Sequence, residues 1–493
     1  MRQRFRNSFY IIPLGFVVIS MIVGCPDKNV ETDGRPEYWR AVEPGSELVL
    51  LVVGDAEVAK KIRQAVGTWE ELTQASLVVE ETTIEELLAS GQKPKADAVI
   101  APIELQATLV QFGYPTRITT AMYNEGGEPW QDLLETYRTK LSKFGPDITF
   151  VPFGSQFFVC YYRADLLQQI KESPPANWAD FERLRGKLQE RHSGEALEQD
   201  QGQGNWFGSL EPTAPGWAAQ SFLTRAAAYT THRDNYSTLF DIRTMSALVA
   251  TEPFVRALRE MQTANPPGTP RYSPHEVRRA FWQSETALAV TFPTAAGPTE
   301  LVTVKSSVPD FKAGIVQIPG SMQVFNSEKK IWDDRRPEET PHIPTLISGH
   351  VGMVSAETDA QVAMFKLLLW LSSREWGTDV FSSSSKSGIG RKSEIEQVSR
   401  WVEREMTSEQ MMQYVSVLSK HWNAGEVFVM PPIPGHAEYM AALDREVLQV
   451  LDGHKTPQEA LDEVVRQWDA VTEKYGVESQ RNLYRQSCGL VGN

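Results

Sequence analysis

Residues 47–53 (ELVLLVV) form an almost uninterrupted apolar run that ends at the polar pair Gly54-Asp55. Such a run is typical of a strand that is buried on both faces of a parallel sheet. Gly54-Asp55 is followed by apolar residues at helical spacing, which predict a helix that packs one face on that sheet: Val58, Ile62, Ala65, Trp69 and Leu72. The chain therefore begins its folded part with a β-α unit.

The next segments continue this alternation. Thr82-Thr83 followed by Glu85-Glu86 has the pattern of a helix capping box, and residues 97–101 (DAVIA) predict a short strand that ends at Pro102. The order β-α-β-α-β indicates an α/β domain with a largely parallel sheet.

The N-terminus has the parts of an export signal. Three arginines precede an apolar run from Phe9 to Gly24, which spans roughly 24 Å as a helix and is short for a membrane crossing. The run ends in IVGC, which resembles the lipobox of bacterial lipoproteins, and this resemblance implies that residues 1–24 are removed and Cys25 is lipidated. An uncleaved signal anchor is the alternative. Residues 25–45 contain three prolines and two glycines and predict a flexible tether.

Composition limits what the remaining chain can be. About 450 residues are too many for one hydrophobic core and suit two or three domains. The net charge of −14 argues against a nucleic-acid partner, which requires a basic surface. Cys160 lies in an apolar strand-like run and Cys488 in a polar tail, so a disulfide between them is left open. With no Cys/His cluster and no cofactor motif, we expect neither a metal nor a cofactor.

Seven segments, in order, resemble the extracellular solute-binding proteins of bacterial ABC importers, in the subgroup that includes the sugar and maltodextrin binders. The segments are VPFGSQFFVCYYRADLL (151–167), SPPANWADFERLRGKL (173–188), EPTAPGWAAQSF (211–222), FWQSETALAVTFPTAA (281–296), LISGHVGMVSAET (346–358), FKLLLWLSSREW (365–376) and residues 431–468. Arg163 stands where the family usually has Asn, and Ser348-Gly349 where it has Gly-Gly. These departures leave the solute unspecified.

The resemblance implies an α/β, two-lobed fold of the type II periplasmic-binding-protein kind, with crossing segments between the lobes. Residues 46–152 plus 350–385 are expected to form lobe 1, and residues 155–344 plus 392–475 lobe 2. A C-terminal tail follows at 476–493. The implied partners are a small solute, a sugar above all, an ABC permease, and the membrane through the lipid, with the protein itself a monomer on the periplasmic or cell-surface side.

A solute cleft needs polar groups at strand ends and flat apolar faces on which a ligand can stack. Strand ends and predicted crossings provide the polar candidates, which are Gly54, Asp55, Pro102, Glu104, Ser155, Ser348, Gly349 and Arg391. The segment similar to the family's ligand-binding stretch adds Glu211 and Trp217. Phe292 and Trp206 are further stacking candidates. Several have a structural alternative: a helix cap for Gly54-Asp55, a turn for Ser155, core packing for each Trp, and a surface salt bridge for Arg391. His350 fits a structural or rim position.

Catalytic patterns are missing from the sequence. It contains no GxSxG, HExxH, Walker or GxGxxG motif, and its eight histidines are scattered. A carboxylate glycosidase needs no local motif, so an exported hydrolase is the alternative to a binding protein. A lipoprotein that presents bound solute to a membrane kinase is the third hypothesis.

Overall fold

The computed structural model describes residues 34–198, 206–235, 237–293, 311–382, 384, 386–401, 406–422, 427–430 and 433–490. Cys25, the predicted signal at 1–24 and the first part of the predicted tether lie outside these residues.

The strands in chain order are β1 (Glu47–Val53), β2 (Ser76–Thr82), β3 (Ala98–Pro102), β4 (Lys143–Phe144), β5 (Asp147–Ile148), β6 (Val151–Gln156), β7 (Val159–Arg163), β8 (Phe207–Leu210), β9 (Thr286–Thr291), β10 (Ala313–Gln317), β11 (Gln323–Asn326), β12 (Ile331–Asp334), β13 (Thr345–Val354) and β14 (Val427–Val429). The α-helices are α1 (Ala56–Thr73), α2 (Ile84–Ser90), α3 (Gln106–Gln111), α4 (Thr120–Gln131), α5 (Ala164–Gln169), α6 (Trp178–Glu198), α7 (Ala218–Thr230), α8 (Glu252–Ala264), α9 (Pro274–Trp282), α10 (Gln361–Leu371), α11 (Gly377–Phe381), α12 (Lys392–Ile395), α13 (Ser408–Trp422), α14 (His436–Leu451), α15 (Pro457–Tyr475) and α16 (Val477–Ser487).

Lobe 1 is built on a sheet of order β14-β13-β3-β1-β2, with β6 also paired to β13. β1 runs parallel to both β2 and β3, which confirms the predicted β-α-β-α-β unit. The apolar face of α1 is buried as predicted, and Asp55 caps the helix by accepting a hydrogen bond from the Val58 amide. The predicted capping box of α2 is also present, between Thr83 and Glu86.

Lobe 2 is built on a second sheet, of order β10-β7-β9-β8. Here β9 is antiparallel to β7 and parallel to β8. Helices α7, α8, α14 and α15 pack against one another beside this sheet, and α15 begins at a capping box formed by Thr456 and Glu459. The mixed α/β architecture with two sheet-based lobes is the predicted fold class.

The three segments that connect the lobes are β6, β13 and residues 386–393, and they meet on the lobe 1 side, at a junction called the crossing point below. Gly154, within β6, has a φ of +85°, and a Cβ built on it would lie 1.8 Å from the carbonyl oxygen of Gly388. A Cβ on Gly349 would lie 2.3 Å from the Gly154 oxygen. Only glycine allows this approach of backbones, so the crossing point is set by these residues.

The structure contradicts the predicted flexible tether over residues 34–45. Residues 34–45 pack on lobe 1 instead of forming a free spacer. The Trp39 ring is buried edge-on against Trp69 and Trp370, with ring centroids at 6.3 and 5.8 Å. Arg35 donates hydrogen bonds to the carbonyl oxygens of Val42 and Thr73. The Pro and Gly content predicts a flexible segment, but burial of the Trp39 ring outweighs this polar local composition and holds the segment on lobe 1.

Two predicted boundaries also shift. Residues 391–393 contact lobe 1, since the Lys392 and Ser393 amides donate to Asp132, so the chain leaves this lobe later than position 392. The predicted C-terminal tail contains α16, which packs Tyr484 against Phe240 of lobe 2 at 5.3 Å. The Gly145 amide of lobe 1 donates to the Gln486 carbonyl, so α16 contacts both lobes.

Candidate functional site

The carboxyl ends of β1 and β3 bring the first group of predicted site residues together. Gly54 has a φ of +70°, and a Cβ on it would lie 3.8 Å from the Pro102 ring. β13 runs antiparallel to β3 and pairs His350 with Pro102, so the return crossing ends at the same sheet edge. Glu104 lies half-buried in the single 3₁₀ turn that follows Pro102.

Asp55 is the centre of a polar cluster at this edge. Its Oδ2 accepts a hydrogen bond of 2.6 Å from the Ser384 hydroxyl, while Oδ1 accepts from the Val58 amide at 3.1 Å. His350 Nε2 lies 3.4 Å from the same Oδ2, and His350 Nδ1 lies 3.0 Å from the Ser387 hydroxyl. The Asp55 side chain is 11% exposed, so it can still meet a ligand.

His350 is held in a neutral state. Burial lowers its pKa to about 4 and outweighs the opposite effect of the Asp55 carboxylate, with Lys386 adding to the lowering. At neutral pH the imidazole therefore carries one N–H. A neighbouring carboxylate favours that hydrogen on Nε2, in which case Ser387 donates to Nδ1.

The crossing residues lie beside this cluster. β13 pairs Gly349 with Ser155 and Ser348 with Gln156 of β6. Ser155 is buried, and its hydroxyl is 2.7 Å from the Tyr137 hydroxyl. The predicted residues of both crossings thus meet at one place, although the Ser155 hydroxyl already has a protein partner.

Aromatic side chains form the corresponding edge of lobe 2. Only Phe157 and Phe158 separate β6 from β7, so the Val159 end of β7 faces lobe 1, as does the adjacent end of β9. Phe292 follows β9 and stacks on Phe158 at 5.1 Å between ring centroids. The half-buried Trp217 meets Phe292 edge-on at 5.6 Å.

His275 adds a polar group to this edge. Its ring lies 6.2 Å from Phe292, and among the described residues no atom forms a hydrogen bond with its buried Nε2. Burial lowers the pKa of His275 to about 4, with Arg278 adding to the effect. A neutral imidazole beside the Phe292 ring can donate a hydrogen bond to a bound solute or accept one from it.

The structure gives other candidates an internal role. Glu211 is buried with Arg225, whose Nη2 lies 2.7 Å from its carboxylate, and Asn265 donates to the same oxygen. Arg391 is also buried and donates to the Pro129 carbonyl and the Ser372 hydroxyl, and burial lowers its pKa. Neither side chain presents a charge to the cleft. Glu211 forms a buried salt bridge with Arg225, and the alternative of a surface salt bridge for Arg391 is wrong because that side chain is buried.

Trp206 lies elsewhere. It immediately precedes β8, at the end of the sheet remote from Phe292, and stacks on His192 at 4.2 Å. His350 was expected only at a structural or rim position, and Ser384, Phe158 and His275 were not among the predicted site residues. The Gly-Ser-Gln crossing preceding Phe158 is a local signal that points to it, but nothing local links His350 to Asp55.

Within the described residues, no group of three His, Cys, Asp or Glu side chains could hold a metal ion. Cys160 is buried and Cys488 exposed, and in this part of the chain neither forms a disulfide. Of the helices that the structure describes, none combines the length and apolar character needed to cross a membrane.

No protein-family model matches the sequence, and no curated protein matches the chain. Solved structures do match over most of its length. An ABC transporter solute-binding protein of Agrobacterium radiobacter, in complex with ribitol, has a TM-score of 0.60 at 18% identity, covering 87% of this chain and 99% of its own. A maltose-bound protein of T. maritima has a TM-score of 0.58 at 15% identity, covering 86% of this chain and 100% of its own. A solute-binding protein of Agrobacterium vitis with bound D-mannitol has a TM-score of 0.57 at 14% identity, covering 88% and 99%.

The chain has the fold of ABC transporter solute-binding proteins. The Asp55 cluster lies at the edge of the lobe 1 sheet, and Trp217 lies against Phe292, which follows β9 of the lobe 2 sheet. The two Agrobacterium structures are described as solute-binding proteins of ABC transporters.

Proposed function

We propose that this protein is an exported, lipid-anchored receptor that binds a small polyhydroxyl solute between its lobes and delivers it to an ABC permease. The observation that carries the proposal is that the two lobes offer groups of different chemistry. Lobe 1 offers carboxylate and hydroxyl acceptors around Asp55, and lobe 2 offers aromatic faces around Trp217.

A sugar or polyol has the matching chemistry. Its hydroxyls donate to carboxylates, and its C–H faces pack on aromatic rings. The structural neighbours were solved with ribitol, maltose and D-mannitol, which supports this solute class. The proposed site consists of Gly54, Asp55, Pro102, Glu104, Ser155, Trp217, Phe292, Ser348 and Gly349, and leaves out Glu211 and Arg391.

Lobe closure supplies the mechanism. A solute that contacts Asp55 on one lobe and Trp217 on the other gains both sets of contacts only when the lobes approach each other. Binding therefore favours the closed state by the difference in contact free energy, and a permease can recognise that state.

Binding is tested by calorimetry of the purified protein with ribitol, D-mannitol, maltose and further sugars. We expect a stabilising solute whose affinity falls about tenfold or more in Trp217→Ala and in Asp55→Asn. Asn is a good N-cap, so the second variant keeps α1 intact. Trp206→Ala is the matched control, because it removes a Trp at the remote end of the lobe 2 sheet. Equal losses in Trp206→Ala and Trp217→Ala would contradict the proposed site.

The anchor is tested separately through Cys25. Cys25→Ser should move the protein from the membrane fraction to the soluble fraction and abolish the mass increase of lipidation. One acyl chain binds membranes only marginally, so the multiply acylated Cys implied by the lipobox is required for stable attachment. An unchanged fractionation and mass would reject the anchor without affecting the solute site.

A further inference from the structure

One buried imidazole contacts three parts of the fold that meet at the crossing. His350 belongs to β13, its Nε2 faces the Asp55 carboxylate at the start of α1, and its Nδ1 contacts the Ser387 hydroxyl. Ser387 directly precedes Gly388, whose Cβ position would lie 2.3 Å from the Ser155 carbonyl oxygen. The strand end that carries Asp55 is thus connected through His350 to two crossing segments.

The Asp55 carboxylate has capacity for this contact as well as for a ligand. A carboxylate offers about four acceptor positions, and the described residues Val58 and Ser384 fill one each. His350 is 1% exposed, and no described atom makes a hydrogen bond with its Nε2. A buried N–H without an acceptor is costly, so the Asp55 oxygen at 3.4 Å is the acceptor that a small movement would engage.

We propose that His350 is a positioning residue of the solute site: it orients the Asp55 carboxylate and couples it, through Ser387, to the crossing segment at 387–390. This role rests on the proposed function only insofar as Asp55 meets the solute. Through this contact, the position of the segment at 387–390 depends on the orientation of the Asp55 carboxylate. Asp55 and Lys386 are the charged groups that face the imidazole from the elements packed against it.

The experiment is hydrogen exchange in ligand-free protein, read at two amides. The Val58 amide bonds Asp55 Oδ1 and reports on the carboxylate, and the Lys386 amide bonds Ser384 Oγ and reports on the loop that precedes the crossing. His350→Leu should accelerate exchange at both amides by about threefold or more, the effect of one net hydrogen bond. His350→Gln can donate from the Nε2 position and should restore slow exchange.

A control and two contrary outcomes make the test decisive. His342→Leu removes a buried histidine of lobe 2, whose Nε2 contacts the Thr231 hydroxyl, and should leave both amides unchanged. If His350→Leu leaves them unchanged, or if His350→Gln is no better than His350→Leu, then His350 only fills space and the proposal is overturned.

A spectroscopic signature and an affinity measurement complete the test. The NMR chemical shifts of the imidazole nitrogens should show that the hydrogen is on Nε2 of His350. A hydrogen on Nδ1 would overturn the proposed positioning role. For whichever of ribitol, D-mannitol and maltose binds, affinity should fall in His350→Leu and recover in His350→Gln. If the wild-type protein binds none of the three, the proposed solutes are wrong. The exchange result still decides whether His350 positions the Asp55 carboxylate.

Discussion

Gly154→Ala is the substitution to which the crossing point should be most sensitive. Gly154 has a φ of +85°, and the added Cβ would lie 1.8 Å from the Gly388 oxygen and 2.8 Å from its carbonyl carbon. Real Cβ atoms do not approach backbone atoms so closely, so the two crossing segments must separate. The substitution therefore tests whether the lobes meet as the structure shows.

The magnitude has two parts. Placing a non-glycine residue in the left-handed region costs about 1–2 kcal/mol. Forcing an extra methyl into a packed site costs about 1–3 kcal/mol more. We expect the free energy of unfolding to fall by about 2–5 kcal/mol, measured by urea denaturation followed by tryptophan fluorescence.

Gly268→Ala is the matched control. Its φ is +94°, and no described atom lies within 4 Å of the Cβ position, so it should show the backbone cost without the steric one. Solute affinity, measured by calorimetry, should change in Gly154→Ala but not in Gly268→Ala, because only the first substitution displaces the segments that pack beside the Asp55 cluster. Equal destabilisation by the two variants would refute the close approach of Gly154 and Gly388.

Three other substitutions test the packing. Trp39→Ala should lower the free energy of unfolding by about 3–5 kcal/mol in denaturation experiments, whereas an unchanged value would restore the free-tether interpretation. Glu211→Gln leaves Arg225 buried with an uncompensated charge and should lower the free energy of unfolding by about 3–5 kcal/mol. Glu81→Gln, in an exposed ion pair, should lower it by less than about 1 kcal/mol. Similar losses in the two variants would contradict the internal role of Glu211. Burial lowers the pKa of His342 to about 4, so the unfolded chain takes up this proton first as pH falls from 6.5 to 4 and stability falls with it. His342→Gln should remove up to about 3 kcal/mol of that loss when unfolding is compared at pH 7 and pH 4.5, and an identical pH dependence in the variant would contradict it.

Much of lobe 1 could be predicted because its signals are local. A continuous apolar strand, a helix with one apolar face and the Thr83–Glu86 capping box each involve neighbours within one or two helical turns. The strand ends at Asp55 and Pro102 followed from the same local pattern, since parallel strands place their carboxyl ends at one edge. Four of the nine residues of the proposed site therefore came from periodicity and turn residues alone.

Glu211 and Arg391 show where that reasoning stops. A carboxylate in a ligand-like segment and an arginine near a crossing look available in sequence, but each is buried on partners that only the fold brings near. Arg225, which neutralises Glu211, lies on α7, 14 residues further along the chain. The Pro129 carbonyl that Arg391 contacts is 262 residues away along the chain. Whether a charged group faces solvent depends on burial, which charge patterning does not determine.

By itself, the sequence determined the α/β class, the position of the first sheet and the resemblance that predicts two lobes. Tertiary structure alone decided that residues 34–45 are anchored by Trp39, that the lobes meet at Gly154 and Gly388, and that His350 faces Asp55. Helical and strand periodicity depend on contacts between near neighbours, so they are legible in sequence. A contact between residues nearly three hundred positions apart, such as that of His350 with Asp55, depends on which strands lie side by side, and only the folded chain establishes that.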